Sequence, residues 1–295
     1  MTTVQRGDNR KAGAAPSVGN RLTPRDIELL RLIAEHRMLT SAQLALAVIP
    51  NERTCRLRIG VLRELGLVET FRPPQVAGSA PMHCVATGKA LRLLAEAGYA
   101  DRVPTARGAV RPGTAAAATA LRADLSHLAG CNEVFCRLRA AARASGGKAV
   151  LEEWLSEWSA SRAFGGQIRP DGFARWRDGA TWCEFFFEYD TGTEALHRLV
   201  AKLRGYADLA AATAVSAPVL FWLPSSEREQ NLLRELARTP SSVPVATTSG
   251  DPRVNVPHQA VWQLAWAFDA RRLALAGIGA AWAAHSGAPQ RQHAV

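Results

Sequence analysis

The residues best suited to chemistry are carboxylates in the second half of the chain. Asp171 follows a proline in the stretch RPDG (169–172), at one end of a predicted strand. Glu188 and Asp190 close the apolar stretch FFFEYD (185–190), which predicts a neighbouring strand. Acids on hairpin neighbours can converge on one divalent ion, which polarises a phosphate and generates hydroxide. Mg²⁺ takes such oxygen ligands, so Asp171 and Glu188 are candidate magnesium ligands. Pro-Asp-Gly is also a common turn triplet, and that reading stays open.

A second candidate is the basic face of a helix predicted over residues 52–65. Arginine on a helix that enters a DNA groove can fork onto guanine or clamp a phosphate. Arg72 and Lys89, which follow this helix in the chain, would add phosphate contacts. Two other interpretations remain: a solvated helix face, or a surface for a protein partner. The residues of the face are Arg53, Thr54, Arg56, Arg58 and Arg63.

The elements that would position this face begin at Thr23 and Pro24, which suit an N-cap and the first position of a helix. Three helices are predicted, over residues 24–36, 41–48 and 52–65, and the third buries Leu57, Val61, Leu62 and Leu65. Strands over 67–71 and 82–86 and a helix over 88–97 follow. This order resembles the winged helix-turn-helix family over residues 22–98. The resemblance implies that the third helix reads double-stranded DNA while the loop between the strands, the wing, follows the backbone.

The acids would lie in a second domain with alternating elements. Helices are predicted over 121–145, 194–209 and 225–238, and strands over 149–158, 167–173, 181–190 and 217–223. This order, together with RPDG and FFFEYD, is similar to the PD-(D/E)xK nuclease family over residues 124–223. The predicted fold class is α/β (α+β overall): a winged helix-turn-helix followed by a restriction-endonuclease-like αβββαβ domain.

The nuclease resemblance assigns roles to these acids. Asp171 and Glu188 match the paired acids of the family, and Glu157 or Glu133 would be the third. The family has lysine two residues after the second acid, where this chain has Asp190. Asp190 would then be a further metal ligand, and Lys202 on the following helix would supply the missing lysine. A magnesium-dependent nickase and a catalytically dead relic are both compatible with this pattern.

The remaining reactive side chains favour structural roles. The five cysteines include no CxxC pair, which indicates reduced thiols packed in a core. Trp154, Trp158, Trp182 and Trp222 are interpreted as core rather than base-stacking residues. Tyr189 and Tyr206 lack the paired histidines that would hold a metal beside a covalent tyrosine. His127 and His197 are isolated in the sequence.

The charge is divided unevenly along the chain. The net charge is +10, but residues 1–123 carry 18 Lys and Arg against 9 Asp and Glu, whereas residues 124–295 carry 18 against 17. A basic N-terminal half favours a polyanionic partner. We predict a disordered arm (1–21), the DNA-binding domain (22–100), a linker (101–120), the nuclease-like domain (121–283) and a flexible tail (284–295). No run of 18 apolar residues and no secretory signal are present, so a cytoplasmic protein with no membrane partner is expected.

Taken together, the two halves resemble the replication-relaxation family of plasmids and integrative elements over most of residues 22–223. The resemblance rests on the winged helix and on the strings SHLAGCN, RPDG, FFFEYDTGT and KLRGY. It implies a role in plasmid replication and DNA relaxation or mobilisation, with replication or relaxase proteins and a second copy of the chain as candidate partners. Two hypotheses follow: a replication factor that nicks DNA, or a non-catalytic DNA-binding regulator whose second domain dimerises or binds a partner.

Overall fold

The structure is a computed structural model that describes residues 21–74, 78–100, 115–213, 215, 217–239, 241–267 and 271–286, with side chains from residue 125 onward in the helix that begins at 115. Residues 1–20 of the predicted N-terminal arm, most of the predicted linker and the last nine residues lie outside this part. No helix within it is long and apolar enough to cross a membrane.

The N-terminal region (residues 21–100) contains four helices around a small sheet. Its elements are α1 (Pro24–Glu35), β1 (Leu39–Thr40), α2 (Ser41–Ala47), α3 (Glu52–Glu64), β2 (Val68–Phe71), β3 (His83–Ala86) and α4 (Gly88–Leu94). The last predicted helix ends as an α-helix at Leu94, and a π-helical turn over Ala95–Tyr99 follows it. β3 lies between β1 and β2 and pairs antiparallel with both. The four helices and the two longer strands follow the predicted order, and β1 is an additional strand.

Local capping explains where these helices begin. Thr23 and Thr40 each form a capping box with the residue three positions later, Asp26 and Gln43. Asn51 caps α3 by accepting a hydrogen bond from the Thr54 amide. Such side-chain acceptors satisfy helix amides that have no intrahelical partner.

The prediction for the buried side of α3 is wrong at Leu57. This side chain is 64% exposed, whereas Cys55, Ile59 and Leu62 are buried. Positions 55, 59 and 62 recur at helical spacing and share one face. Leu57, only two residues from Cys55 and from Ile59, therefore lies on the opposite face.

The C-terminal region (residues 115–286) is built on a seven-stranded sheet. Its helix α5 (Ala115–Ala144) begins six residues before the predicted start, inside the stretch interpreted as a linker. The elements that follow are β4 (Ala149–Ser156), α6 (Glu157–Ala163), β5 (Gly172–Asp178), β6 (Thr181–Tyr189), α7 (Leu196–Thr213), β7 (Val219–Leu223), α8 (Ser226–Arg238), β8 (Val245–Ser249), β9 (Trp262–Leu264), β10 (Arg272–Leu273) and α9 (Leu275–Ser286). The mixed α/β class predicted from the sequence is confirmed.

The sheet has the strand order β10-β9-β8-β7-β6-β5-β4. β7 runs parallel to β6 and β8, and every other pair is antiparallel. Successive strand residues face opposite sides, so Phe185 and Phe187 join the core under α5 and α9. Phe186 joins the core under α7 and α8.

Three details differ from the predicted αβββαβ order. Ser156 caps α6, so β4 stops there and Glu157 and Trp158 lie on a helix instead of a strand. β5 starts at Gly172, the last residue of RPDG, which leaves Arg169, Pro170 and Asp171 in the loop before it. Strands β8 to β10 extend the sheet beyond the predicted elements.

The two regions share buried contacts. Cys136 of α5 belongs to the core of the N-terminal region, and Trp154 of β4 packs against it. The Asn132 side chain donates to the Met38 carbonyl over 2.7 Å, and the Ser156 amide donates to Glu35 over 3.0 Å. The His36 ring stacks on Trp154 at 3.6 Å between centroids.

Candidate functional site

Asp171 and Glu188 lie at the same end of the β5–β6 hairpin. Gly172 pairs with Phe187, so Asp171, just before β5, stands beside the last residues of β6. The Tyr189 amide donates to Asp171 Oδ2 over 2.8 Å, and His127 Nε2 of α5 lies 2.9 Å from the same oxygen. The Asp171 carboxylate is therefore fixed by both the strand and the helix.

Glu188 is almost fully buried and is held from α7. Lys202 Nζ lies 3.1 Å from Glu188 Oε2, and the Tyr206 hydroxyl donates to Oε1 over 2.5 Å. Lys202 also pairs with Glu194 at 3.2 Å. Lys202 and Tyr206 are four residues apart on α7, so both reach the same carboxylate. Lys202 therefore reaches the Glu188 carboxylate from the following helix. Its catalytic role stays a prediction.

The electrostatics reflect two acids in a confined space. Burial and the neighbouring Asp171 raise the pKa of Glu188 to about 7, against the lowering effect of Lys202 and Tyr206. Burial lowers the pKa of His127, but the Asp171 hydrogen bond outweighs it, and the net pKa is raised. The His127–Asp171 contact is thus strongest when the imidazole is protonated.

The other predicted metal ligands do not join this pair. Asp190 is buried and forms an ion pair with Arg228 of α8. Glu157 is exposed at the start of α6, and Glu133 contacts Arg137 at 2.8 Å and Gln43 at 3.2 Å. No three His, Cys, Asp or Glu side chains in the described ranges are grouped as a metal site.

These residues, as arranged, do not fit a magnesium ion. Only two acids meet, and both oxygens of Glu188 already accept hydrogen bonds from Lys202 and Tyr206. The sequence pattern missed His127, Tyr206 and Arg228. The spacing of Lys202 and Tyr206 was a usable signal for the tyrosine, whereas nothing local in the sequence pointed to the other two.

The outer face of α3 carries the residues proposed to meet DNA. Arg53, Thr54, Arg56 and Arg63 are exposed. Arg56 contacts Glu52 at 3.3 Å, but both side chains are more than half exposed, so the pair is weak. Thr54 contacts the capping Asn51 side chain at 3.2 Å.

The other three predicted DNA contacts have partners within the protein. Arg58 forms a two-pronged ion pair with the fully buried Asp26. Arg72 donates to the Ala80 carbonyl across the wing. Lys89 donates to the Leu65 carbonyl over 2.8 Å, at the end of α3. These contacts indicate that the three side chains stabilise the N-terminal region. DNA contact by these residues stays a prediction.

The fold and site define a mixed α/β protein in which Asp171 and Glu188, at one end of β5 and β6, meet Lys202 of α7, and in which one face of α3 is basic and exposed. A family model described as replication-relaxation matches residues 30–219, and the chain belongs to this family. Membership indicates a role in plasmid replication or relaxation. Searches of curated proteins and of solved structures find no match.

Proposed function

We propose that this protein is a DNA-binding factor of a plasmid or integrative element that acts in replication or DNA relaxation. In this proposal the N-terminal region is a winged helix that lays α3 in the major groove of duplex DNA. The observation that carries the proposal is the division of α3 into a buried apolar face and an exposed basic face.

The exposed face has the chemistry that base edges and phosphates require. Arg53 and Arg56 stand near the N-terminal end of α3, and the pair of Arg56 with Glu52 is open to solvent. Arginine in such a position can form two hydrogen bonds to guanine or clamp a phosphate. The exposed Leu57 side chain, next to Arg56, offers an apolar contact of the kind that a thymine methyl group accepts.

Titration of a labelled duplex from the element's replication region tests this proposal. We expect Arg53→Gln and Arg56→Gln each to weaken binding by about 1–3 kcal/mol. Where the lost contact is to phosphate, the slope of log affinity against log salt also falls by about 0.9. Arg204→Gln is the matched control, because Arg204 is an exposed arginine on α7. Unchanged duplex affinity in both α3 variants would overturn the proposal.

A second candidate function is phosphodiester cleavage by the C-terminal region. The meeting of Asp171, Glu188 and Lys202 favours it. Because Lys202 and Tyr206 hold both Glu188 oxygens, binding of Mg²⁺ there would require at least one of these bonds to open when DNA arrives.

Relaxation of supercoiled plasmid in Mg²⁺, in Mn²⁺ and in chelator tests the second candidate. Metal-dependent nicking that Glu188→Gln and Asp171→Asn lose, with duplex affinity intact, would support cleavage. Glu227→Gln, on the exposed start of α8, is the control. Absence of nicking alongside intact binding would instead leave a regulator whose C-terminal region binds a second copy or a replication protein.

A further inference from the structure

A cavity of about 580 Å³ opens beside Asp171, where the two regions meet. Three arginines from separate segments line it: Arg37 follows α1, Arg162 lies on α6, and Arg169 precedes Asp171. All three are exposed, and no carboxylate pairs with any of them in the part of the chain that the structure describes. Several arginines elsewhere in the C-terminal region have acidic partners, among them Arg139, Arg228 and Arg272. Others, such as Arg204, pair with no carboxylate among the described residues, so the distinguishing feature of Arg37, Arg162 and Arg169 is that they line one cavity.

Arg37 has a left-handed backbone conformation. Its φ is 63°, and no other non-glycine residue in the described ranges has a positive φ. An L-residue with a long side chain is disfavoured in this conformation, where glycine or asparagine is common. Arg37 directly follows the C-cap residue of α1, a position where a left-handed residue commonly ends a helix. Its exposed side chain lines the cavity and pairs with no carboxylate among the described residues.

An aromatic side chain accompanies the three cations. Trp158 lines the same cavity and is half-buried, and the Arg162 guanidinium lies 4.6 Å from the centre of its ring. Trp158 is thus not a core residue as the sequence suggested. A basic groove with aromatic side chains is the combination by which proteins hold single-stranded nucleic acid, since phosphates meet the cations and bases stack on the rings.

We infer that this cavity binds a segment of single-stranded DNA, with phosphates at Arg37, Arg162 and Arg169 and a base on Trp158. Asp171 and His127 line the same cavity, so the bound strand would lie next to the acid pair. The inference rests on the proposed function in taking DNA as the ligand. It adds a second binding site, formed jointly by both regions and separate from α3.

The test is anisotropy of a labelled oligo(dT) of about 12 nucleotides, a length within the usual site size, titrated with full-length protein at several salt concentrations. Arg162→Gln, Arg169→Gln and Arg37→Asn should each weaken binding and lower the salt slope by about 0.7. Asparagine is used at position 37 because it tolerates the backbone conformation. Trp158→Leu should weaken binding at least about fivefold with the slope unchanged, because stacking releases no counterions.

The controls separate this site from α3. Arg204→Gln should bind oligo(dT) as the parent does, and the thermal midpoint of every variant is measured to confirm folding. If oligo(dT) binding ignores all four cavity variants but falls with Arg53→Gln and Arg56→Gln, the cavity is not the site and the proposed function survives. If the cavity variants act as expected while duplex binding ignores α3, the cavity stands and the proposed function fails. No measurable binding of oligo(dT) by the parent protein would overturn the inference.

Discussion

The arginines of this chain differ in their partners, and some of them serve the fold by neutralising a buried acid. Arg58 and Arg228 each neutralise a buried aspartate, Asp26 and Asp190 respectively. Arg53, by contrast, is exposed with no acidic partner within the described ranges. In the sequence all of these look alike, because a buried acid elsewhere in the chain leaves no local sign of its partner.

Arg58→Met is expected to lower the free energy of unfolding by about 3 kcal/mol, because it leaves the Asp26 carboxylate buried without its cation. Urea unfolding at pH 7 measures the change. Burial raises the pKa of Asp26, but hydrogen bonds from Arg58 and Thr23 outweigh it and the net pKa is lowered. This stabilisation is present above the unfolded pKa and lost as pH falls through the folded one, so the difference between Arg58→Met and parent should shrink in acid. Arg53→Met should change stability by less than about 0.5 kcal/mol; equal losses in the two variants would contradict the assignment.

Glu188 should titrate near neutral pH, and its neighbours should move the pKa in opposite directions. Asp171→Asn removes a negative charge and is expected to lower the pKa of Glu188 from about 7, whereas Lys202→Met is expected to raise it. Because the folded pKa is raised, the contribution of Glu188 to stability declines as pH rises from about 4.5 to about 7. Carboxyl carbon NMR across this range measures the shifts. A normal glutamate pKa in the parent protein would show that the acids do not interact.

At the scale of elements, periodicity predicted most of the fold. Helical spacing and caps located α1, α2 and α3 to within one residue at each end. The apolar run of residues 185–187 located β6 as a strand. Leu57 was assigned to the wrong face because α3 carries more apolar residues than its buried face holds, and the sequence pattern did not separate them. The short strands β9 and β10 carry too few residues to show a period.

The candidate site was predictable only in part, for a related reason. Asp171 and Glu188 were identified because strand order brings them together. The ion pair of Asp190 with Arg228 and the contact of His127 with Asp171 depend on how helices pack over the sheet. Such packing between distant segments is not encoded in local spacing.

Two glycines in helices should respond oppositely to alanine. A Cβ at Gly279 of α9 would lie 1.9 Å from the Trp182 carbonyl oxygen of β6, so Gly279→Ala should push the helix away from the sheet and cost about 1–3 kcal/mol. A Cβ at Gly60 of α3 would meet nothing within 4 Å. Gly60→Ala should therefore stabilise by roughly 0.5–1 kcal/mol, as alanine does in helices. Thermal midpoints of the two variants measure this, and a stabilised Gly279→Ala protein would refute the close approach of α9.

At the scale of the whole molecule, a buried histidine makes the contact between the two regions sensitive to pH. Burial, and secondarily Arg139, hold the pKa of His36 well below its usual value. The unfolded chain therefore binds the proton more readily, so the stability that His36 contributes is full above about pH 6.5 and falls as pH drops. Parent and His36→Phe proteins, unfolded with urea at pH 8 and pH 5.5, should show the larger acid loss in the parent. Equal losses would indicate that His36 is accessible to water in the folded state.

The shared core, with Cys136 and Trp154 reaching the N-terminal region, also bears on how such a protein can evolve. A domain joined to the rest of a protein only by a flexible linker can be exchanged by recombination, since no other part of the protein packs against its surface. Here the inner surface of the N-terminal region packs against the C-terminal region, and Asn132, Glu35 and His36 make contacts between the two. Under the proposed function, a new DNA target would be reached most readily by substitution on the outer face of α3. An N-terminal region exchanged from another protein would bring an inner surface that no longer matches the C-terminal region.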